Sequence, residues 1–105
     1  MGDPPGEFTP YSVTYSGRVQ DGLADLAADA KARGRDQPFY TALKAIAHRL
    51  RVYPQFGQPL RDSADGSGTE WIGVVPPLVV RYIVYEDRRL VCVVRPMVSL
   101  SWGHR

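Results

Sequence analysis

Two arginines on neighbouring predicted strands, Arg81 and Arg95, are the side chains best suited to hold an anion. Guanidinium forks match the oxygens of a phosphate, and adjacent strands would bring the pair together. The same two residues also read as exposed sheet positions or as partners for Glu86 or Asp87. A second set, Arg49, Arg51 and Arg61, belongs to residues 31–61, where seven basic residues face a single acid, Asp36. Such a run suits a nucleic-acid backbone, a solvated face, or the docking surface of an acidic protein partner. His48 lies beside Arg49 and reads as an RNA contact or as a surface histidine. Tyr82 and Tyr85 point to opposite faces of one strand, so only one of them can serve a given site. Trp71 and Trp102 would mark an interface wherever their indoles lie outside the core. The chain has no glycine-rich phosphate loop, metal-ligand spacing, Ser-His-Asp set or dinucleotide fingerprint, so no cofactor is expected.

These side chains need a scaffold, and 105 residues suffice for one core. A composition of 44% hydrophobic and 23% charged residues fits an ordinary folded domain. The formal net charge of +2 is small, so the uneven distribution of basic residues carries more information than the total. Residues 1–10 hold Gly2, Pro4, Pro5, Gly6 and Pro10 and read as a flexible leader ahead of a domain over 11–98, with a tail over 99–105. No apolar run reaches the roughly 18–20 residues that span a bilayer, and the leader is not a signal sequence; a cytoplasmic protein is the expectation.

Within the domain, Tyr11, Val13 and Tyr15 alternate with Ser12, Thr14 and Ser16, the period of a strand with one buried face. Ser16 then caps a helix in which Val19, Leu23, Leu26, Ala27 and Ala30 recur at three- and four-residue steps. Gly34 closes that helix. Asp36 and Pro38 open a second, striped by Phe39, Ala42, Leu43, Ile46, Ala47 and Leu50 and stopping near Arg51. Residues 53–68, with Pro54, Gly57, Pro59, Gly66 and Gly68, read as a long surface loop. Three strands follow over 70–75, 78–85 and 89–95, the last two forming an antiparallel hairpin across Glu86, Asp87 and Arg88. Cys92, the single cysteine, sits in an apolar run and reads as core.

Three pieces of this pattern resemble the RelE/ParE superfamily of bacterial type II toxins: the opening Y-S-V-T-Y-S (11–16), L-R-V-Y-P-Q-F-G-Q-P-L (50–60) and V-V-R-Y-I-V-Y-E-D-R-R-L-V-C-V-V (79–94). The resemblance implies a two-layer α+β fold, β-α-α-β-β-β, with two N-terminal helices on a largely antiparallel four-stranded sheet. It implies a cognate antitoxin that wraps the domain as a helix or extended peptide. It also implies inhibition of translation by ribosome-dependent mRNA cleavage, or alternatively DNA gyrase inhibition, or a degenerate antitoxin-binding module. Ribosome-dependent RNases of this kind carry an Arg at the start of the third strand. Aligned on Tyr82, that position is Val79, which leaves Arg81 and Arg95 as the catalytic cations. The Lys pair of the second strand is missing from residues 70–75. Pro96 and Met97 follow the last strand in place of a His or Tyr, and His104 comes only at the far end.

Overall fold

The computed structural model describes residues 9–100. The remainder of the proposed leader and tail, with Trp102 and His104, lies outside the described residues. Strand β1 (Ser12–Tyr15) leads into helix α1 (Gly17–Ala32) and then α2 (Asp36–Val52). The Ser16 hydroxyl accepts a hydrogen bond from the Val19 amide at 3.3 Å, so the cap forms as its type predicts. Gly34, at φ +69°, supplies the left-handed residue between the helices. Helix α2 carries the larger share of the packing: Phe39, Ala42, Ile46 and Leu50, at helical spacing, are all buried.

Residues 53–68 do not form the single loop that their prolines and glycines suggest. A one-turn 3-10 helix, Pro54–Phe56, is followed by β2 (Gln58–Asp62), which pairs antiparallel with β3 (Thr69–Val75). All five residues of β2 are exposed, so no hydrophobic alternation marks the strand; its backbone pairing makes it one. The turn from β2 to β3 is tied by Asp65. Its Oδ1 accepts from the Ser67 amide and from the Ser63 and Ser67 hydroxyls at 2.7–3.0 Å. These bonds, the Ser67 amide foremost, hold the carboxyl down to about 2.

The hairpin continues through the cis Pro76–Pro77 pair into β4 (Leu78–Tyr85), and a further 3-10 turn leads to β5 (Leu90–Val93) and the two-residue β6 (Val98–Ser99). Arg89 precedes β5 in a left-handed conformation, φ +48°, and its guanidinium lies 4.2 Å from the Tyr11 ring centre. The strand order is β1-β5-β4-β3-β2, with β6 also pairing β4; β1 runs parallel to β5 and every other pair is antiparallel. The architecture is therefore α+β with two helices, as expected, but the sheet is mixed and six-stranded instead of four-stranded. Among the described residues no helix is long and apolar enough to cross a membrane.

Register assigns the two faces of the sheet. Leu78, Val80, Tyr82 and Val84 of β4 and Val91 and Val93 of β5 are buried in one core with Phe39, Ile46 and Leu50 of α2. Val79, Arg81, Ile83 and Tyr85 alternate with these and lie on the face away from the helices. Cys92 pairs with Ile83 on that open face and is only half-buried, so it is not the core residue its apolar neighbours suggest.

The segment joining α2 to the sheet is fixed by close contacts. Tyr82 donates its hydroxyl to the Pro54 carbonyl at 2.6 Å, and the Phe56 ring stacks on Tyr82 with centres 5.8 Å apart. Phe56 also fills the space above Gly73, where an added Cβ would lie 2.5 Å from the ring. These contacts give a physical role to the Pro-x-Phe-Gly portion of residues 50–60: it seals the end of the core and delivers the chain to the sheet edge.

Candidate functional site

The open face gathers three arginines around one glutamate. Arg61 on β2 stands opposite Glu70 on β3, and Arg81 on β4 stands opposite Ile72, one diagonal step from Glu70. Arg95 follows β5 and approaches from the other side. Glu70 Oε1 accepts from Arg61 Nε at 3.0 Å and Glu70 Oε2 accepts from an Arg81 terminal nitrogen at 2.6 Å, while Arg95 Nε lies 3.8 Å from that same oxygen. The glutamate side chain is 14% exposed, against 63% for Arg61, 32% for Arg81 and 58% for Arg95. The anion sits at the bottom of the cluster and the cations form its walls.

Burial by itself would push the Glu70 carboxyl up, but hydrogen bonds from Arg61 and Arg81 and their positive charges outweigh it and leave the carboxyl below its usual range. Three guanidiniums sharing one carboxylate leave positive charge in excess. A cleft of ≈ 400 Å³ opens beside them, lined by Arg61, Asp62, Ser63, Glu70, Ile83 and Arg95 among others. The Arg81 Nε–H is buried and meets no acceptor among the described residues.

Arg81 and Arg95 both reach Glu70, and not Glu86 or Asp87, but only Arg81 does so from a strand: β5 ends at Val93, short of the expected 89–95, and Arg95 lies in the bend beyond it. Glu86 instead accepts from the Gln55 amide at 3.0 Å. Arg61 joins this cluster and leaves the basic run to which its sequence neighbours assign it. Arg49 and Arg51 remain on α2, in the helical layer. The Arg49 guanidinium lies 5.4 Å from the Phe56 ring centre, and Arg51 lines a separate cleft of ≈ 600 Å³ with Tyr11, Val13, Tyr15 and Ala47. Arg49 and Arg51 thus lie in the helical layer, and Arg61 lies on edge strand β2. His48 is exposed on α2, away from the cluster.

Tyr82 is core, and Tyr85 is on the open face under the Arg88 guanidinium, 4.6 Å from its ring centre. Trp71 packs against the core with its indole N–H buried and without an acceptor among the described residues. Glu70 is the residue that sequence reading passes over. Its signal is faint but present: it is the one charged residue in 70–75, at the start of a strand whose antiparallel partner carries Arg81.

Chemically, the arrangement can bind a phosphodiester and stabilise added negative charge on it, because guanidinium N–H groups remain exposed around the cleft. The carboxylate at its floor can accept a proton once its arginine partners are engaged elsewhere. No protein-family model and no curated protein matches this chain.

Proposed function

We propose that the open sheet face is an RNA-phosphate site and that the chain is the toxin of a type II toxin-antitoxin pair, cleaving mRNA on the ribosome. The observation that carries this reading is the convergence of Arg61, Arg81 and Arg95 on Glu70 beside an open cleft. The motif resemblance of residues 11–16, 50–60 and 79–94 supplies the class of protein, and the cluster supplies cations where Val79 supplies none.

In the proposed reaction a ribose 2′-hydroxyl attacks the adjacent phosphorus. A P–O2′ bond forms, the P–O5′ bond breaks, and the products are a 2′,3′-cyclic phosphate and a 5′-hydroxyl. Arg81 and Arg95, with Arg61, neutralise the oxygens of the phosphorane. Glu70 takes the 2′ proton, and water protonates the departing 5′ oxygen. Arg49 and Arg51 contribute backbone affinity from the helical layer or face the antitoxin.

One observation favours the alternative of a binding module without nuclease activity: among the described residues, no His or Tyr lines the cleft. Gyrase inhibition, the other alternative, would need no such residue. Regulated expression in a sensitive bacterial host separates these readings. Wild type halts growth and amino-acid incorporation, and Arg81→Ala with Arg95→Ala restores both by more than about tenfold, the order expected for removal of charge-stabilising groups. Absence of growth arrest by a folded wild type would leave the binding module, and arrest with a DNA-damage response and intact mRNA would leave the gyrase target.

A further inference from the structure

The guanidiniums that the proposed site offers to RNA are already engaged by an anion of the protein's own. Both oxygens of Glu70 are used: one by Arg61, the other by Arg81 at 2.6 Å with Arg95 behind it at 3.8 Å. The carboxylate lies deeper than any of its partners, which hold it from β2, from β4 and from the bend after β5. A phosphodiester entering the cleft meets this carboxylate at the distance of the arginines themselves, and like charges at that range disfavour one another. Asp62, in the same cleft lining, adds to the repulsion.

We propose that Glu70 is the resident counter-ion of the arginine cluster and an internal competitor of the RNA phosphate, which binds by taking over the guanidiniums of Arg61 and Arg95, the two arginines that line the cleft. The inference rests on the reading of this cleft as the RNA site, and it adds a consequence for Glu70. Held by arginines in the free protein, the carboxylate is a weak base. With those cations turned to phosphate oxygens and a second anion alongside, it becomes a stronger base next to the 2′-hydroxyl. Binding and proton acceptance are then linked, and the group that limits affinity is the one the reaction uses.

Replacing Glu70 tests this with a signature that a merely structural role would not give. Binding of a 2′-O-methyl hexauridylate, which cannot be cleaved by the 2′-hydroxyl route, is measured by fluorescence anisotropy at fixed salt. The E70Q and E70A variants are expected to bind about fivefold more tightly than wild type, a gain in keeping with removal of a partly exposed ion-pair network. Adding Arg61→Ala and Arg95→Ala to E70Q is expected to abolish the gain. In wild type, the Glu70 carboxyl, which in the free protein faces Arg61, Arg81, Arg95 and Asp62, titrates at a higher pH by 13C NMR with the oligonucleotide bound than without it; this readout needs no variant to fold. Equal or weaker binding by E70Q, or an unchanged Glu70 titration, overturns the competition while wild-type binding leaves the RNA site standing. Failure of every form to bind the oligonucleotide overturns both.

Discussion

Gly57→Ala is expected to destabilise the domain by about 3 kcal/mol or more, at the upper end of what overpacking by one methyl usually costs. Gly57 follows the 3-10 turn with φ −90° and ψ −151°, a conformation open to alanine, so the penalty is one of space. A Cβ built there lies 2.2 Å from the Ile72 carbonyl oxygen, 2.8 Å from its carbon and 2.9 Å from the Tyr82 hydroxyl. Ile72 cannot retreat, because it is held between Gln58 on β2 and Arg81 on β4. Relief therefore requires β2 to peel from β3 or the Tyr82 hydroxyl to leave Pro54. For a domain of this size the loss corresponds to a fall in melting temperature of roughly 15 °C. Gly17→Ala is the matched control: its Cβ meets nothing within 4 Å at the first residue of α1, and its effect is expected within about 0.5 kcal/mol of zero. Thermal melts of the two variants side by side check the argument; equal melting temperatures would show that the approach of Gly57 to β3 does not constrain the fold.

Tyr82 carries the second large effect, and its contribution divides into ring and hydroxyl. The ring is 1% exposed and stacks on Phe56, which in turn covers Gly73, so Tyr82→Ala opens a cavity at the junction of α2 and the sheet. A loss of about 3–5 kcal/mol is expected from aromatic deletion in a core. Tyr82→Phe keeps the ring and removes only the 2.6 Å bond to the Pro54 carbonyl, for a loss of about 1 kcal/mol. Denaturant midpoints of the two variants measure the split, and a Phe variant as unstable as the Ala variant would contradict it.

Alkaline pH gives an independent check on the hydroxyl. Burial raises the Tyr82 phenol well above its ordinary 10.0, only partly opposed by the backbone hydrogen bond at Gly57. A group whose folded pKa is raised binds its proton more tightly in the folded state. Its stabilising share is full below the unfolded value and is lost as pH rises above it. Wild type should therefore lose stability above about pH 10 more steeply than Tyr82→Phe. A residual slope remains in the variant because burial raises Tyr15 in the same direction.

Such contacts explain which parts of the fold are legible in the residues alone. Helix α1 announces itself through the Ser16 cap and the three- and four-residue recurrence from Val19 to Ala30. Helix α2 does so through the stripe from Phe39 to Leu50, and the β4-β5 hairpin through its valines and the short polar link between them. Strand β2 gives no such signal. Its pattern Gln-Pro-Leu-Arg-Asp buries nothing, and Pro59 argues against a strand except at an edge, which is where β2 lies. Strand β6 is two residues long, too short for any periodicity.

The site is half legible for a related reason. Arg81 and Arg95 are visible as cations on and just past adjacent strands, but a cross-strand diagonal depends on register, and register is set here by the bulge between Pro59 and Arg61 and by the turn tied at Asp65. Without that register Arg61 groups with Arg49 and Arg51, its neighbours along the chain, and Glu70 has no partner. With it, the four side chains form one cluster, and the functional reading moves from a basic surface run to a cleft with an anion at its floor.

Purified ribosomes translating a defined mRNA give the decisive experiment on the proposed cleavage of RNA by this cleft. With wild-type protein, the mRNA is expected to acquire discrete new ends, 2′,3′-cyclic phosphate on one side and 5′-hydroxyl on the other, dependent on the presence of ribosomes. With Arg81→Ala and Arg95→Ala together, cleavage should fall by more than about tenfold while the protein remains folded. Intact mRNA after incubation with folded wild-type protein would rule out the proposed cleavage.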